Sequence, residues 1–125
     1  MVAAETGFKL QSNPDTVRAP DLGFIRADRV PARPPAGFAE FAPDLVVEVL
    51  SPDDRPAEVR AKLADWLTAG VRLVWVVDPN RESVRVHRPG GSETALDIDG
   101  SLDGEDVLPG FMLPLKTIFR VGPGD

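Results

Sequence analysis

The chain has 125 residues, 14 Lys and Arg against 20 Asp and Glu for a net charge of -6, one histidine and no cysteine. That length suits a single domain, residues 1–125, which buries roughly two-thirds of the surface exposed by its unfolded chain. Without cysteine there is no disulfide scaffold, thiol nucleophile or thiolate-bound metal, and a lone His87 excludes multi-histidine metal sites, leaving hard cations on carboxylate oxygen.

No apolar run approaches the ~18 residues of a membrane helix, and no charged-then-apolar leader opens the chain, so we expect a cytoplasmic protein with no membrane partner. The charge is uneven. Residues 91–125 hold Lys116 and Arg120 against seven acidic residues, a net -5, so almost none of the excess lies in residues 1–90. An acidic total argues against a nonspecific nucleic-acid coat. It is compatible with carboxylates that bind cations, which in turn face phosphates.

In chain order, Thr6–Leu10 alternates as a short strand and ends in the turn-like Ser12-Asn13-Pro14-Asp15. Residues 16–26, TVRAPDLGFIR, read as a second strand, in which Pro20 forces an edge, a bulge or a start at Asp21. Residues 27–43 carry four prolines and no clean period, which predicts a loop. Residues 44–50, DLVVEVL, are apolar on both faces apart from Glu48, the pattern of an interior strand. Ser51, Asp53 and Asp54 are candidate N-caps, and Pro56 suits the first turn of a helix over about 55–69, with Gly70 as its C′ residue. Val59, Leu63, Trp66 and Leu67 give that helix its apolar face. VRLVWVV (71–77) is a second apolar strand, Asp78–Arg81 a turn, and 83–88 a returning strand with Val84 and Val86 on one face. Strand, helix and strand with this spacing predict a crossover between parallel neighbours. A polar, turn-rich stretch follows, with a hairpin arm at Thr94–Ile98, before the apolar closing segment Leu108–Phe119. The class is α/β with a strand-rich mixed sheet.

Glu48 is the strongest single signal. A carboxylate inside Val-Val-Glu-Val-Leu costs several kcal/mol to bury unless it is paired, hydrogen-bonded or on a metal. It is either half of a structural ion pair, or a metal ligand or general base. Asp44 and Glu48 share a strand face but lie about 13 Å apart, too far for one ion. A second carboxylate must come from a neighbouring strand, and Asp21 is the best placed; its alternative role is an Asx turn after Pro20. Asp44 reads as a cap at the start of its strand. Lys62 sits at the margin of the apolar helix face, where a lysine ordinarily snorkels. The chain otherwise favours Arg, 11 to 3, so a compact ammonium here favours chemistry. His87 is out of phase with Val84 and Val86 and is expected in solvent beside Arg85. Trp66 and Trp75 read as core, and Ser51 as a cap with no base to activate it.

The segments TVRAPDLGFI, PDLVVEVLSPDDR, KLADWLTAG, VWVVDP and LPGFMLPL, together with a GF-L strand near the start, resemble the Uma-two family of restriction-endonuclease-like proteins. The resemblance covers nearly the whole chain in order. It implies the PD-(D/E)XK nuclease fold, a mixed β-sheet with one main helix at about 55–69. It also implies a Mg²⁺-dependent endonuclease, Mn²⁺ being an alternative ion, that hydrolyses DNA phosphodiester bonds. In that fold an Asp opens one strand, a Glu sits on the next, and a Lys normally follows two residues later. Here that position is Leu50, and the resemblance implies that the lysine has moved to the helix as Lys62. Carried over in this way, Asp21 and Glu48 hold the metal and Lys62 orients the attacking water. Trp66 stands where the family usually has Tyr. Family members carry several dozen residues ahead of the GF-L strand, including the first helix, so we expect an N-terminally truncated domain whose uncovered face drives homodimerisation or wider self-association. The rival expectation is an inactive nuclease-like domain serving as a binding or assembly module.

Overall fold

The computed structural model of the chain describes residues 20–30 and 42–120, together with the backbone of 2–3, 8–11 and 16–18. The expected turn at 12–15 and most of the proline-rich loop lie outside the described residues. Ten strands are described: β1 (Val2–Ala3), β2 (Phe8–Gln11), β3 (Thr16–Arg18), β4 (Leu22–Phe24), β5 (Leu45–Val49), β6 (Leu73–Asp78), β7 (Ser83–His87), β8 (Glu93–Leu96), β9 (Ser101–Asp103) and β10 (Met112–Pro114). Two α-helices, α1 (Pro56–Thr68) and α2 (Leu115–Phe119), and two single-turn 3-10 helices, Ala27–Arg29 and Pro89–Gly91, complete the order.

A six-stranded sheet runs β1-β4-β5-β6-β7-β8, and two small ribbons pair β2 with β3 and β9 with β10. Among the described residues only β5 and β6 are parallel, joined through α1 as the strand–helix–strand spacing requires, and the other described pairs are antiparallel. The apolar run of β5 therefore occupies the sheet's interior, between β4 and β6.

One sequence expectation is corrected here. Residues 16–26 are not one strand: Thr16–Arg18 pairs with β2 in a separate ribbon, and Leu22–Phe24 joins the main sheet. Pro20, fully buried, lies between them and has no N–H to give to either ladder.

The sheet is covered on both faces. On one, α1 lays Val59, Leu63, Trp66 and Leu67 over Val46, Val74 and Val76, with Ile25 and Val71 completing the cluster. On the other, Leu45, Leu73, Trp75, Val77, Val84 and Val86 meet Leu102, Val107 and Leu115 from the β9–β10 region and α2. Trp75 stacks on Phe111 there, ring centroids 5.9 Å apart. The period of two places Val46 and Glu48 on the helix side and Leu45 and Val47 on the other.

Pro56 opens α1 at its first turn as expected, but the N-cap is Arg55, with no side-chain cap bond. The expected caps are used otherwise: Asp54 accepts from the Ser51 N–H at 2.8 Å and closes a tight turn before the helix. At the far end Gly70 adopts φ +100, the left-handed C′ conformation that glycine alone takes without strain. That reversal lets Val71 N donate to Trp66 O and returns the chain directly into β6.

Candidate active site

Glu48 projects from β5 toward the middle of α1, and the helix meets it with two donors. Lys62 Nζ lies 3.1 Å from Oε2, and Trp66 Nε1 donates to Oε1 at 3.2 Å. Lys62 and Trp66 are four residues apart, so they leave the helix from one face on successive turns. The pair is graded in depth: Trp66 is fully buried, the Glu48 side chain keeps 13% of its surface and that of Lys62 34%. Burial pushes the Glu48 carboxyl above its ordinary value of 4.5. Lys62 works against this by hydrogen bond and charge, the Asp21 charge adds to it, and the Trp66 hydrogen bond also opposes it.

Asp21 immediately precedes the neighbouring strand β4. The antiparallel β4–β5 register pairs Leu22 with Val47, so Asp21, one residue earlier, stands across from Glu48. Its Oδ2 accepts from the Val49 N–H at 2.7 Å, which ties it to the residue following Glu48. Asp21 is exposed. Glu48 and Lys62, far apart in sequence, therefore meet at one end of the β4–β5 pair, and Asp21 stands across the ladder beside them. Glu48 and Lys62 border a small cleft of about 70 Å³, with Asp54 and Glu58 on its rim and Val59 and Leu63 in its wall.

Asp44 lies at the other end of β5, outside this group. It is 4% exposed, with Oδ1 2.5 Å from Arg29 Nη1 and Oδ2 accepting from Arg26 N at 2.8 Å. Its backbone N–H donates to Phe24 O and its carbonyl accepts from Arg72 N, so it clamps the start of β5 to the strands on either side. That is the capping role its position suggested.

His87 does not stand in solvent. It shares the helix-side face with Arg85, but its side chain is only 13% exposed, with Nδ1 3.4 Å from Glu93 Oε2. Burial lowers its pKa below the ordinary 6.5; Glu93 opposes this and Arg85 adds to it. With Arg60 and Arg85 it lines an apolar groove of about 290 Å³ between α1 and β7. Sequence reasoning missed Trp66 as a functional contact, although its spacing from Lys62 carried the signal.

Among the described residues no group of three or more His, Asp or Glu is spaced to hold a metal ion. Mg²⁺ asks for less than that: it keeps several waters and binds through one or two carboxylates and substrate phosphates. The donor set of Asp21 and Glu48 fits that chemistry.

A model of the Uma2 family, described as "Putative restriction endonuclease", matches residues 1–116. The chain belongs to the Uma2 family. Among solved structures, a crystal structure from Anabaena variabilis ATCC 29413, described as a putative nuclease belonging to DUF820, aligns with this Uma2 chain at a TM-score of 0.84. The two are 24% identical over 95% of this chain and 67% of that one. No curated protein matches the chain. The fold of this Uma2 protein is restriction-endonuclease-like α/β, a mixed sheet carrying one main helix. Among the described residues no helix is long and apolar enough to cross a membrane.

Proposed function

We propose that this protein is a metal-dependent endonuclease that hydrolyses phosphodiester bonds in DNA, with Asp21 and Glu48 as ligands to Mg²⁺ or Mn²⁺ and Lys62 as the residue that orients the attacking water. The observation that carries this reading is the meeting of Glu48 and Lys62 at a cleft, with the exposed Asp21 across the β4–β5 ladder from Glu48, in a chain of a nuclease family. A buried ion pair alone needs no exposed carboxylate on the adjacent strand.

The side chains have the capacity for these roles. Each Glu48 oxygen accepts one hydrogen bond, and a carboxylate oxygen has two lone pairs, so both keep one for a cation. The Val49 N–H holds Asp21 by Oδ2 beside Glu48. The Lys62 ammonium has three donors; one is on Glu48, and the remainder can hold a water or a phosphate oxygen at the cleft. Bound there, the metal supplies Lewis-acid polarisation of the phosphate and a lowered pKa for its water. Arg60 and Arg85 in the adjoining groove offer cationic groups to a phosphate backbone.

A second reading, a nuclease-like module that binds or assembles without cutting, draws on the absence of a three-ligand cluster among the described residues. Self-association belongs with either reading, through exposed apolar residues such as Phe111 and Met112. The deciding experiment is cleavage of supercoiled plasmid DNA, with a structured RNA as a parallel substrate, by wild type and Glu48→Ala in Mg²⁺ and in EDTA. Nicking of DNA by wild type in Mg²⁺ alone is expected, and an inert wild type would favour the module.

A further inference from the structure

The two tryptophans have opposite polar surroundings. Trp75 Nε1 is buried on the far face of the sheet with no hydrogen-bond partner among the described residues. Trp66 is more deeply buried still, yet its Nε1 meets Glu48 Oε1 at 3.2 Å. Both indoles fill the core, and among the described residues only that of Trp66 is given a carboxylate acceptor.

The contact has a mechanical consequence. The terminal torsion of a glutamate is broad, and one donor leaves the carboxylate plane free to turn. Two donors on different oxygens fix it. Of the two, Lys62 is the less constant: it is partly exposed, on a flexible four-carbon stem, and its proposed task turns it toward water or substrate. Trp66 has two side-chain torsions and no exposed surface, so it remains in place when Lys62 moves.

We propose that Trp66 is a positioning residue, whose buried indole N–H locks the orientation of the Glu48 carboxylate for the divalent cation it shares with Asp21. This rests on the reading of Glu48 as a metal ligand. Partners that orient metal ligands typically contribute 10–100-fold to metal affinity.

The full chain, labelled with ¹⁵N, gives two indole N–H resonances, assigned by Trp66→Phe. Titration with MgCl₂ should move the Trp66 resonance along the same saturation curve as the Glu48 and Asp21 amides, and leave that of Trp75 still. Calorimetry should show Mg²⁺ binding weakened about 10–100-fold in Trp66→Phe, with partial recovery in Trp66→Tyr, whose hydroxyl restores a donor. A Trp66 resonance that stays still while the amides shift would overturn the inference, as would a folded Trp66→Phe that binds Mg²⁺ like wild type. If Trp66→Phe does not fold, Trp75→Phe assigns the two resonances and the wild-type indole titration decides. A wild type in which no resonance responds to Mg²⁺ overturns the metal-ligand reading, and this inference with it.

Discussion

Replacing Glu48 by Gln removes a charge while keeping the side-chain volume and an acceptor for Trp66. In the folded chain, burial outweighs Lys62 and holds the Glu48 carboxyl above its ordinary 4.5. The folded state thus binds the proton more tightly than the unfolded state. A group of that kind contributes stability that is complete below 4.5 and is lost as pH rises through the elevated folded value. Glutamine has no such loss, so the difference between the two proteins must widen in favour of Glu48→Gln as pH climbs from about 4 toward 7. Lys62, with 34% of its side chain exposed, can turn its ammonium to water when the partner charge is gone. At neutral pH and without metal, Glu48→Gln should therefore be neutral to about 1 kcal/mol more stable, a melting temperature raised by up to about 4 °C. Glu48→Ala is different. It takes an acceptor from a fully buried indole and empties part of the α1–β5 contact, for a loss of about 2–3 kcal/mol, or about 8–12 °C. Thermal unfolding followed by circular dichroism in EDTA, across that pH range, reads all three proteins. Glu48→Gln destabilised as much as Glu48→Ala at every pH would refute the reasoning and make the carboxylate charge a structural requirement.

Asp21→Asn keeps an acceptor for the Val49 N–H, so its stability should stay within about 1 kcal/mol of wild type. Wild type should gain about 2.7 kcal/mol at a Mg²⁺ concentration 100 times its Kd, and Asp21→Asn should lose that gain, both visible as melting-temperature shifts. Lys62→Met should still bind Mg²⁺ by calorimetry, while its rate of plasmid nicking falls by about 10²–10⁴. Asp44→Ala should cost about 1–3 kcal/mol in denaturant unfolding, because it takes the buried acceptor from Arg26 N and from the partly exposed Arg29, yet leave the Mg²⁺ Kd of the folded protein unchanged.

The elements that position the site were legible because each is dictated by local pattern. The run Leu45–Val49 can only be an interior strand; Pro56, Gly70 and the apolar stripe between them delimit α1; and Glu48 is conspicuous as the lone carboxylate of its strand. The link from Glu48 to Lys62 was less accessible. Helical phase put Lys62 at the edge of the buried face, but the resemblance to a known family singled it out. What remained hidden depends on tertiary placement. The indole of Trp66 reaches Glu48 because of the roll of α1 on the sheet, which no single-element periodicity encodes. His87 follows the strand alternation as expected, but its exposure is set by what lies over the β7 face. The break at Pro20 was visible as a disturbance, yet assigning its two sides to different sheets requires the β2–β3 pairing. Arg29, which holds Asp44, comes from a segment with no periodicity to read.

Where a divalent cation binds is the most direct test of the account. Chelation to Asp21 and Glu48 competes with an obvious alternative, the acidic stretch that carries Asp97, Asp99, Asp103, Glu105 and Asp106. Substoichiometric Mn²⁺ broadens nearby amide resonances paramagnetically, so a ¹H–¹⁵N spectrum of the wild-type chain locates the ion. Broadening strongest at Asp21, Glu48 and Val49, weaker at Asp44 at the other end of β5, and abolished by Glu48→Gln, is the predicted result. Broadening confined to 97–106, or unchanged by Glu48→Gln, would contradict the assignment of Glu48 and Asp21 as the metal site.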